Sequence, residues 1–398
     1  MKEIKREHYL NKLISSRENG LIKVLTGIKG CGKSYLLDPI FKNYLLSTGV
    51  REDHIIKLDL DKKENIKYHD PTKLNNYIMK NIKDNETHYI FLNEIQVVND
   101  FEYVLNGFLY PPNLDVYVTG SNSKYLSTDV ITEFRGRSTK INVYPLSFQE
   151  FLESCNDDKY KAWQEYKTYG GMPLVLFQKT NEEKLNYLKN ISKSKVPIIN
   201  SITSELSISL NQLTNSNKIF KAINSNKKVS LSTINFYLNN IENSFIINKV
   251  KRYDIKRKKY LKTSSKYYFQ DIGLYNAIIR YDQKDNDNVM ENIIYNELLT
   301  RDFEIDIGTI ETREKQKKHR AETGFICNLG YKRYYIKYVP HLNTREETLK
   351  EESLFMKIKD NFKKAIVVND NIKHYYTEEG ILIIGIVEFL QNKNSLDL

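Results

Sequence analysis

Gly27-Ile28-Lys29-Gly30-Cys31-Gly32-Lys33-Ser34 reads G-x-x-x-x-G-K-S. It follows the apolar run Leu21-Ile22-Lys23-Val24-Leu25-Thr26, which predicts a buried strand, and it leads into Tyr35-Leu36-Leu37, which predicts a helix. A glycine-rich turn between strand and helix exposes consecutive backbone N–H groups. Together with the helix N-terminus they form an anion cradle. In such a loop Lys33 reaches the β- and γ-phosphates of a nucleotide, and the Ser34 hydroxyl coordinates Mg²⁺. The flanking strand and helix are the context the motif requires. They predict a nucleoside triphosphate site along Gly27, Ile28, Lys29, Gly30, Cys31, Gly32, Lys33, Ser34 and Tyr35, with Cys31 as a small, well-packed member of the loop.

A second signature lies at Tyr89-Ile90-Phe91-Leu92-Asn93-Glu94-Ile95-Gln96. A hydrophobic strand ending in an acidic pair is where many nucleoside triphosphatases hold Mg²⁺ and orient the attacking water. Here the first acidic position is Asn93. Its amide oxygen can serve at the metal end but brings no charge to neutralise the cation. Glu94 keeps the carboxylate that acts as base or water positioner. Ser121 and Asn122, in Val118-Thr119-Gly120-Ser121-Asn122-Ser123, follow another strand. Ligands of open α/β sheets sit at the carboxyl ends of strands, so these two are candidates to face the γ-phosphate. Arg135 and Arg137 precede a further strand, and a guanidinium there is a candidate to stabilise transferred phosphoryl charge, Arg137 foremost. If it acts on a neighbouring subunit, a homo-oligomer follows.

The 398 residues carry a net charge of +11, enough to suggest a nucleic acid or other polyanion partner without requiring one. Three unpaired-looking cysteines, Cys31, Cys155 and Cys327, argue against both a disulfide framework and a zinc site. The charged start, Met1 to His8, does not read as a signal peptide, and no apolar run nears the ~20 residues of a membrane span. A cytoplasmic protein without membrane partners is expected. Strand-like segments at Ile55–Leu60, Tyr89–Leu92, Val116–Thr119 and Ile141–Tyr144 alternate with helical ones, which implies a mostly parallel sheet covered on both faces. Beyond Phe148 the pattern turns helical. Short helices then lead to Lys249–Tyr260, where cations alternate with aromatics like a DNA-contacting wing. Further strands are expected at Tyr334–Ile336 and Ala365–Val368, with a helix opened by the Thr344/Glu347 capping box between them.

These segments together resemble a family of bacterial and archaeal AAA+ ATPases that join an ATPase core to a C-terminal domain of unknown function. The landmarks are Gly27–Ser34, Phe91–Gln96, Thr119–Ser123, Gly136-Arg137, Tyr144–Phe148, Tyr169-Gly170-Gly171-Met172-Pro173, Tyr268–Leu274 and Glu291-Asn292. The resemblance implies an α/β P-loop core with a parallel sheet at 1–147, a helical lid at 148–215, a winged helix at 216–285 and a degenerate restriction-endonuclease-like module at 286–398. It implies ATP and Mg²⁺ as cofactors. The family carries Asp where Asn93 stands, and a Glu-x-Asp-Phe strand where Glu322-Thr323-Gly324-Phe325 stands. Gly324 offers no carboxylate, so a two-carboxylate metal site needs another donor; Glu291, Glu297 and Glu322 remain, with Lys337 on a following strand, and the module is expected to serve in binding or scaffolding and not as a nuclease.

The expected function is an ATP-binding, ATP-hydrolysing protein that couples nucleotide state to a DNA- or protein-binding C-terminal half. Two alternatives stand beside it. Asn93 motivates a nucleotide-gated binder with negligible turnover, and the Glu322 strand motivates an Mg²⁺-dependent nuclease.

Overall fold

The structure, a computed structural model, describes residues 4–122, 136–155, 158–224, 229–280, 286–314 and 317–398. Ser123 and Arg135 lie outside the described residues. The chain forms two compact units. One runs to Pro145 and takes in Asn243–Phe245, and the other holds Leu146–Glu242 and Ile246–Leu398.

In the first unit, β1 (Ile22–Thr26), β2 (Ile55–Asp59), β3 (His88–Asn93), β4 (Leu114–Gly120) and β5 (Ser138–Asn142) form a parallel sheet in the order β2-β3-β4-β1-β5. Every residue of β3 is buried, as expected where helices cover both faces of a parallel sheet. The helices include Glu7–Ser16, Pro71–Asn81 and Phe101–Gly107. Asp70 caps the second by accepting from Lys73 N, with Pro71 at the tolerated first position. Leu74 and Ile78 of that helix pack with Leu58, Ile90 and Leu92 in one apolar cluster. Because the strands are parallel, the loops after Thr26, Asp59, Asn93 and Gly120 all open at one edge. Registers of Asp59 with Asn93, and of Thr26 with both Gly120 and Asn142, fix that edge.

Two local features depart from the simplest reading. The helix after the glycine-rich loop is broken: Lys33–Tyr35 passes into a wide turn at Leu36–Phe41 before Lys42–Ser47 resumes. Asp38 leaves helical angles there because the following Pro39 lacks an N–H and crowds the residue before it. Lys23, inside the apolar first strand, is fully buried and paired with buried Asp115, which also accepts from Tyr117 Oη (2.7 Å) and Glu18 N (3.0 Å). The ion pair joins β1 to β4.

The second unit opens with helices Phe148–Ser154, Lys159–Tyr169, Asn181–Ser192 and Pro197–Ile208, the first and third started by capping boxes at Ser147/Glu150 and Thr180/Glu183. Helices Ser216–Asn224 and Leu231–Asn243 follow. An eight-stranded mixed sheet then runs β12-β13-β11-β10-β9-β8-β6-β7, made of β6 (Ile247–Asp254), β7 (Lys259–Phe269), β8 (Glu304–Glu314), β9 (Lys317–Leu329), β10 (Lys332–Val339), β11 (Lys363–Val368), β12 (Tyr375–Tyr376) and β13 (Leu382–Gly385). The basic hairpin β6–β7 belongs to this sheet, because Arg252, Tyr253 and Asp254 pair in parallel with Ile307, Gly308 and Thr309 of β8. Helix Arg345–Phe355 starts at the expected Thr344/Glu347 box, and its Phe355 packs with Ile310, Ile326, Tyr335 and Ile366.

Three sequence landmarks meet in this unit as structural joints. Asn292 exchanges two hydrogen bonds with the backbone of Phe269, to its N–H at 2.9 Å and its carbonyl at 2.7 Å. Asp271 caps helix Ile272–Ile278 and accepts from Gly171 N at 2.6 Å. A Cβ on Gly170 would sit 2.3 Å from the Asp271 carboxylate, and one on Gly171 would sit 2.2 Å from Leu146 O. The Gly-Gly pair is therefore demanded by close approach. Burial pushes the Asp271 carboxyl up to about 6 despite the backbone N–H groups it accepts. Among the described residues no helix is long and apolar enough to cross a membrane.

Candidate phosphate-binding site

Glycine is required where the loop turns. Gly27 has φ 153°, and a Cβ there would stand 2.0 Å from the carbonyl oxygen of Val143. Gly30 and Gly32 adopt φ 87° and 101°, the left-handed region that side chains disfavour. Cys31 is fully buried with its Sγ on the same Val143 oxygen (3.2 Å), the packing role expected of it. Val143 in turn donates its N–H to Thr26 O at 2.7 Å, so the loop is braced against the end of β5. Lys29, Ser34 and Tyr35 are exposed.

Lys33 is 4 % exposed. Its Nζ donates to Gly27 O (2.8 Å) and Ile28 O (3.1 Å) and, among the described residues, meets no carboxylate. A buried ammonium held only by neutral carbonyls carries uncompensated charge at the mouth of the loop, and an anion is its natural complement.

Across the same edge, Asn93 ends β3 and is nearly buried. Its Nδ2 donates to Asp59 Oδ1, and its Oδ1 accepts from Thr119 Oγ1 at 3.3 Å. Thr119 Oγ1 also accepts the Glu94 N–H at 3.0 Å, which helps hold Glu94 at the left-handed angles φ 56°, ψ 51°. Glu94 Oε2 accepts from both Ser121 Oγ and Gln96 Nε2, each at 2.5 Å. Ser121 and Glu94, predicted separately, thus share one hydrogen bond. The sequence reading missed Asp59, Thr119 and Gln96. Thr119 and Gln96 lay inside quoted motifs, whereas Asp59 is brought to the edge only by the β2–β3 register.

Burial alone would raise the Asp59 carboxyl, but Lys62, Asn93 and Lys57 outweigh it and leave it lowered. Its Oδ2 receives Lys62 (2.8 Å) and Lys57 (3.7 Å).

Arg137 is not brought to this cluster. It precedes β5, whose Ser138 pairs with Ile22 at the start of β1, so roughly 16 Å of strand separates it from Gly27. Its guanidinium is exposed and reaches Asn106 Oδ1 at 3.4 Å. The direction of β5 sets Arg137 at the end away from the Gly27–Ser34 loop of its own chain.

The residues present fit a nucleotide with Mg²⁺. The three glycines leave the loop amides approachable, Lys33 supplies charge, and the oxygen donors that suit Mg²⁺ are the Ser34 hydroxyl, the Asn93 amide and the Glu94 carboxylate.

The acidic residues of the second unit are already committed. Lys266 Nζ lies between Glu291 Oε1 (3.1 Å) and Glu322 Oε1, and Tyr268 Oη donates to Glu291 at 2.6 Å. Burial pulls the Lys266 ammonium down, yet the two carboxylates more than offset it and leave it raised. Glu297 pairs with Arg301 at 2.8 Å, and Lys337 pairs with Glu351. Gly324 has φ 86°, and a Cβ on it would stand 2.3 Å from Ile336 O, so no aspartate fits there. An ammonium occupies the ground between the two carboxylates where a cation would have to bind.

Near the opposite edge of the first sheet, His54, Asp84 and His88 converge. Both ring nitrogens of His88 are engaged by main chain, with Lys83 N–H at 3.1 Å and Glu86 O at 2.8 Å, so this cluster clamps the turn before β3. In the basic hairpin, Arg257 is tied to Glu311 at 2.6 Å, while Lys256, Lys258 and Lys259 are exposed.

Comparison with known proteins adds the following. Residues 19–152 match the family model of an AAA domain, and residues 160–285 match a domain of unknown function. An uncharacterized protein of Haemophilus influenzae is 32 % identical over 97 % of this chain and 98 % of its own length. An uncharacterized protein of Methanocaldococcus jannaschii is 26 % identical over 71 % of this chain and 67 % of its own. Among solved structures, a Walker-type ATPase of Pyrococcus abyssi is 14 % identical, with TM-score 0.48, covering 70 % of this chain and 96 % of that one.

Proposed function

This chain belongs to the same family as its uncharacterized Haemophilus influenzae relative and carries an AAA-domain match at residues 19–152, and on that premise we propose that it binds ATP with Mg²⁺ at the Gly27–Ser34 loop and hydrolyses it. The observation that carries the reading is Lys33, a buried ammonium whose partners are two neutral carbonyls of its own loop. Exchanging those carbonyls for phosphate oxygens costs little and gains charge-assisted bonds. Loop amides hold the polyphosphate, and Ser34 with Asn93 offers oxygens at the metal end. Mg²⁺, when bound, neutralises charge on the β- and γ-phosphate oxygens. Glu94 orients the attacking water through the carboxylate edge that Ser121 and Gln96 leave open. Arg137, exposed at the far edge of its own sheet, is proposed to serve a neighbouring copy.

We further propose the division into 1–147, 148–215, 216–285 and 286–398, with nucleotide state coupled to a C-terminal half that binds DNA through the exposed lysines of 249–260. A protein partner is the alternative for that half. The specific observation favouring a binder of negligible turnover is Asn93, which leaves the metal end short of one charge. Steady-state phosphate release separates the two readings. Glu94→Gln is expected to lower turnover about 100-fold or more while ATP affinity is kept. Equal, trace release from wild type and variant would leave the gated-binder reading standing and remove the enzyme.

A further inference from the structure

The pair Asn93 and Asp59 holds one carboxylate between two adjacent strands, and the chain has put it on β2 rather than β3. The two residues are direct partners in the parallel register. The Asp59 oxygens divide their work: Oδ2 takes the Lys57 and Lys62 ammonium groups, and Oδ1 is left to the Asn93 amide. That division settles the Asn93 orientation. Its NH₂ faces a carboxylate oxygen, so its Oδ1 must face the other way, toward the Thr119 hydroxyl that also fixes the Glu94 backbone. An aspartate at 93 would instead place two carboxylates on neighbouring strands about 5 Å apart, where like charges repel.

We infer that Asp59 is a positioning residue for the metal end of the nucleotide site, fixing the Asn93 amide so that its oxygen faces the Thr119 hydroxyl that holds the Glu94 backbone. The inference rests on the reading of Gly27–Ser34 as the nucleotide loop.

The test is calorimetric titration of ATP into the full chain, once with Mg²⁺ and once with EDTA, for four proteins: wild type, Asp59→Asn, Asn93→Asp and the double exchange. The readout is the Mg²⁺-linked gain in affinity, not turnover. Asp59→Asn is expected to reduce that gain about tenfold, the scale of one charge-assisted hydrogen bond, with affinity in EDTA within roughly threefold of wild type. Asn93→Asp alone is expected to reduce it as well. The double exchange, which again leaves one carboxylate in the pair, is expected to recover the gain to within roughly threefold. An unchanged gain in Asp59→Asn, or an Asn93→Asp variant that improves alone and gains nothing from the second change, would overturn the assignment. Should wild type fail to bind ATP in both buffers, the loop reading itself fails and Asp59 falls with it.

Discussion

Each unit of this protein contains a buried lysine beside candidate site residues, and the two lysines are held in opposite ways. Lys33 donates to the carbonyls of Gly27 and Ile28 and, among the described residues, meets no carboxylate. Lys266 is closed between Glu291 and Glu322, with Tyr268 beside it. The first ammonium, among the described residues, is met by neutral carbonyl oxygens alone. The second has its charge consumed by the protein, and its carboxylates are consumed with it. Burial of a charged residue therefore says little about function until its partners are named.

The sharpest way to break the comparison is to remove a lysine whose role is purely structural and set its cost as the scale. Lys23→Met leaves Asp115 ionised in the interior between β1 and β4, and we expect about 3–5 kcal/mol of lost stability. Chemical denaturation checks it, and Lys23→Met with Asp115→Leu should restore only part of the loss, because Tyr117 Oη and Glu18 N then lose their acceptor. Lys266→Met should come next. Glu322 keeps about a third of its side chain in solvent, so we discount the cost to about 2–3 kcal/mol at neutral pH. Burial already raises the Glu322 carboxyl, and removing Lys266 raises it further. A carboxyl raised in the folded state binds its proton more tightly there than when unfolded. Its stability is fully present below the ordinary carboxyl value and is lost as pH climbs through the raised one. The variant should thus be closest to wild type near pH 4 and fall away toward pH 8. A deficit independent of pH would mean the two carboxylates do not depend on Lys266.

The smallest effect belongs to the basic hairpin. Replacing Lys256, Lys258 and Lys259 with serine should weaken duplex DNA binding and reduce the slope of log affinity against log salt by about 1–3. Arg257, tied to Glu311, should contribute least. An unchanged slope would turn the search toward a protein partner.

Much of the fold was legible because its signals are local. The phosphate loop is read from glycines that only left-handed or crowded backbone requires, and the helix at Arg345 is read from its own capping box. The five strands of the first sheet stand close to where alternation and β-branched runs placed them, with β5 starting earlier, at Ser138. What was not legible depends on register. Asp59 is an unremarkable strand end until parallel pairing sets it beside Asn93, and Arg137 is near the loop in motif order but at the wrong end of β5. Lys23 reads as an interruption in an apolar run because its partner lies on a strand distant in sequence. Likewise, Gly324 looks like a lost carboxylate, whereas the crowding by Ile336 O shows that the backbone there admits no side chain.

The central claim, that Lys33 is held in reserve for a polyphosphate, is tested most directly by titrating ATP into wild type and Lys33→Ala with Mg²⁺ present. Saturable binding by wild type and a loss of about 100-fold or more in the variant, with melting temperature unchanged, is the expected result. Equal affinity in the two proteins would contradict the account.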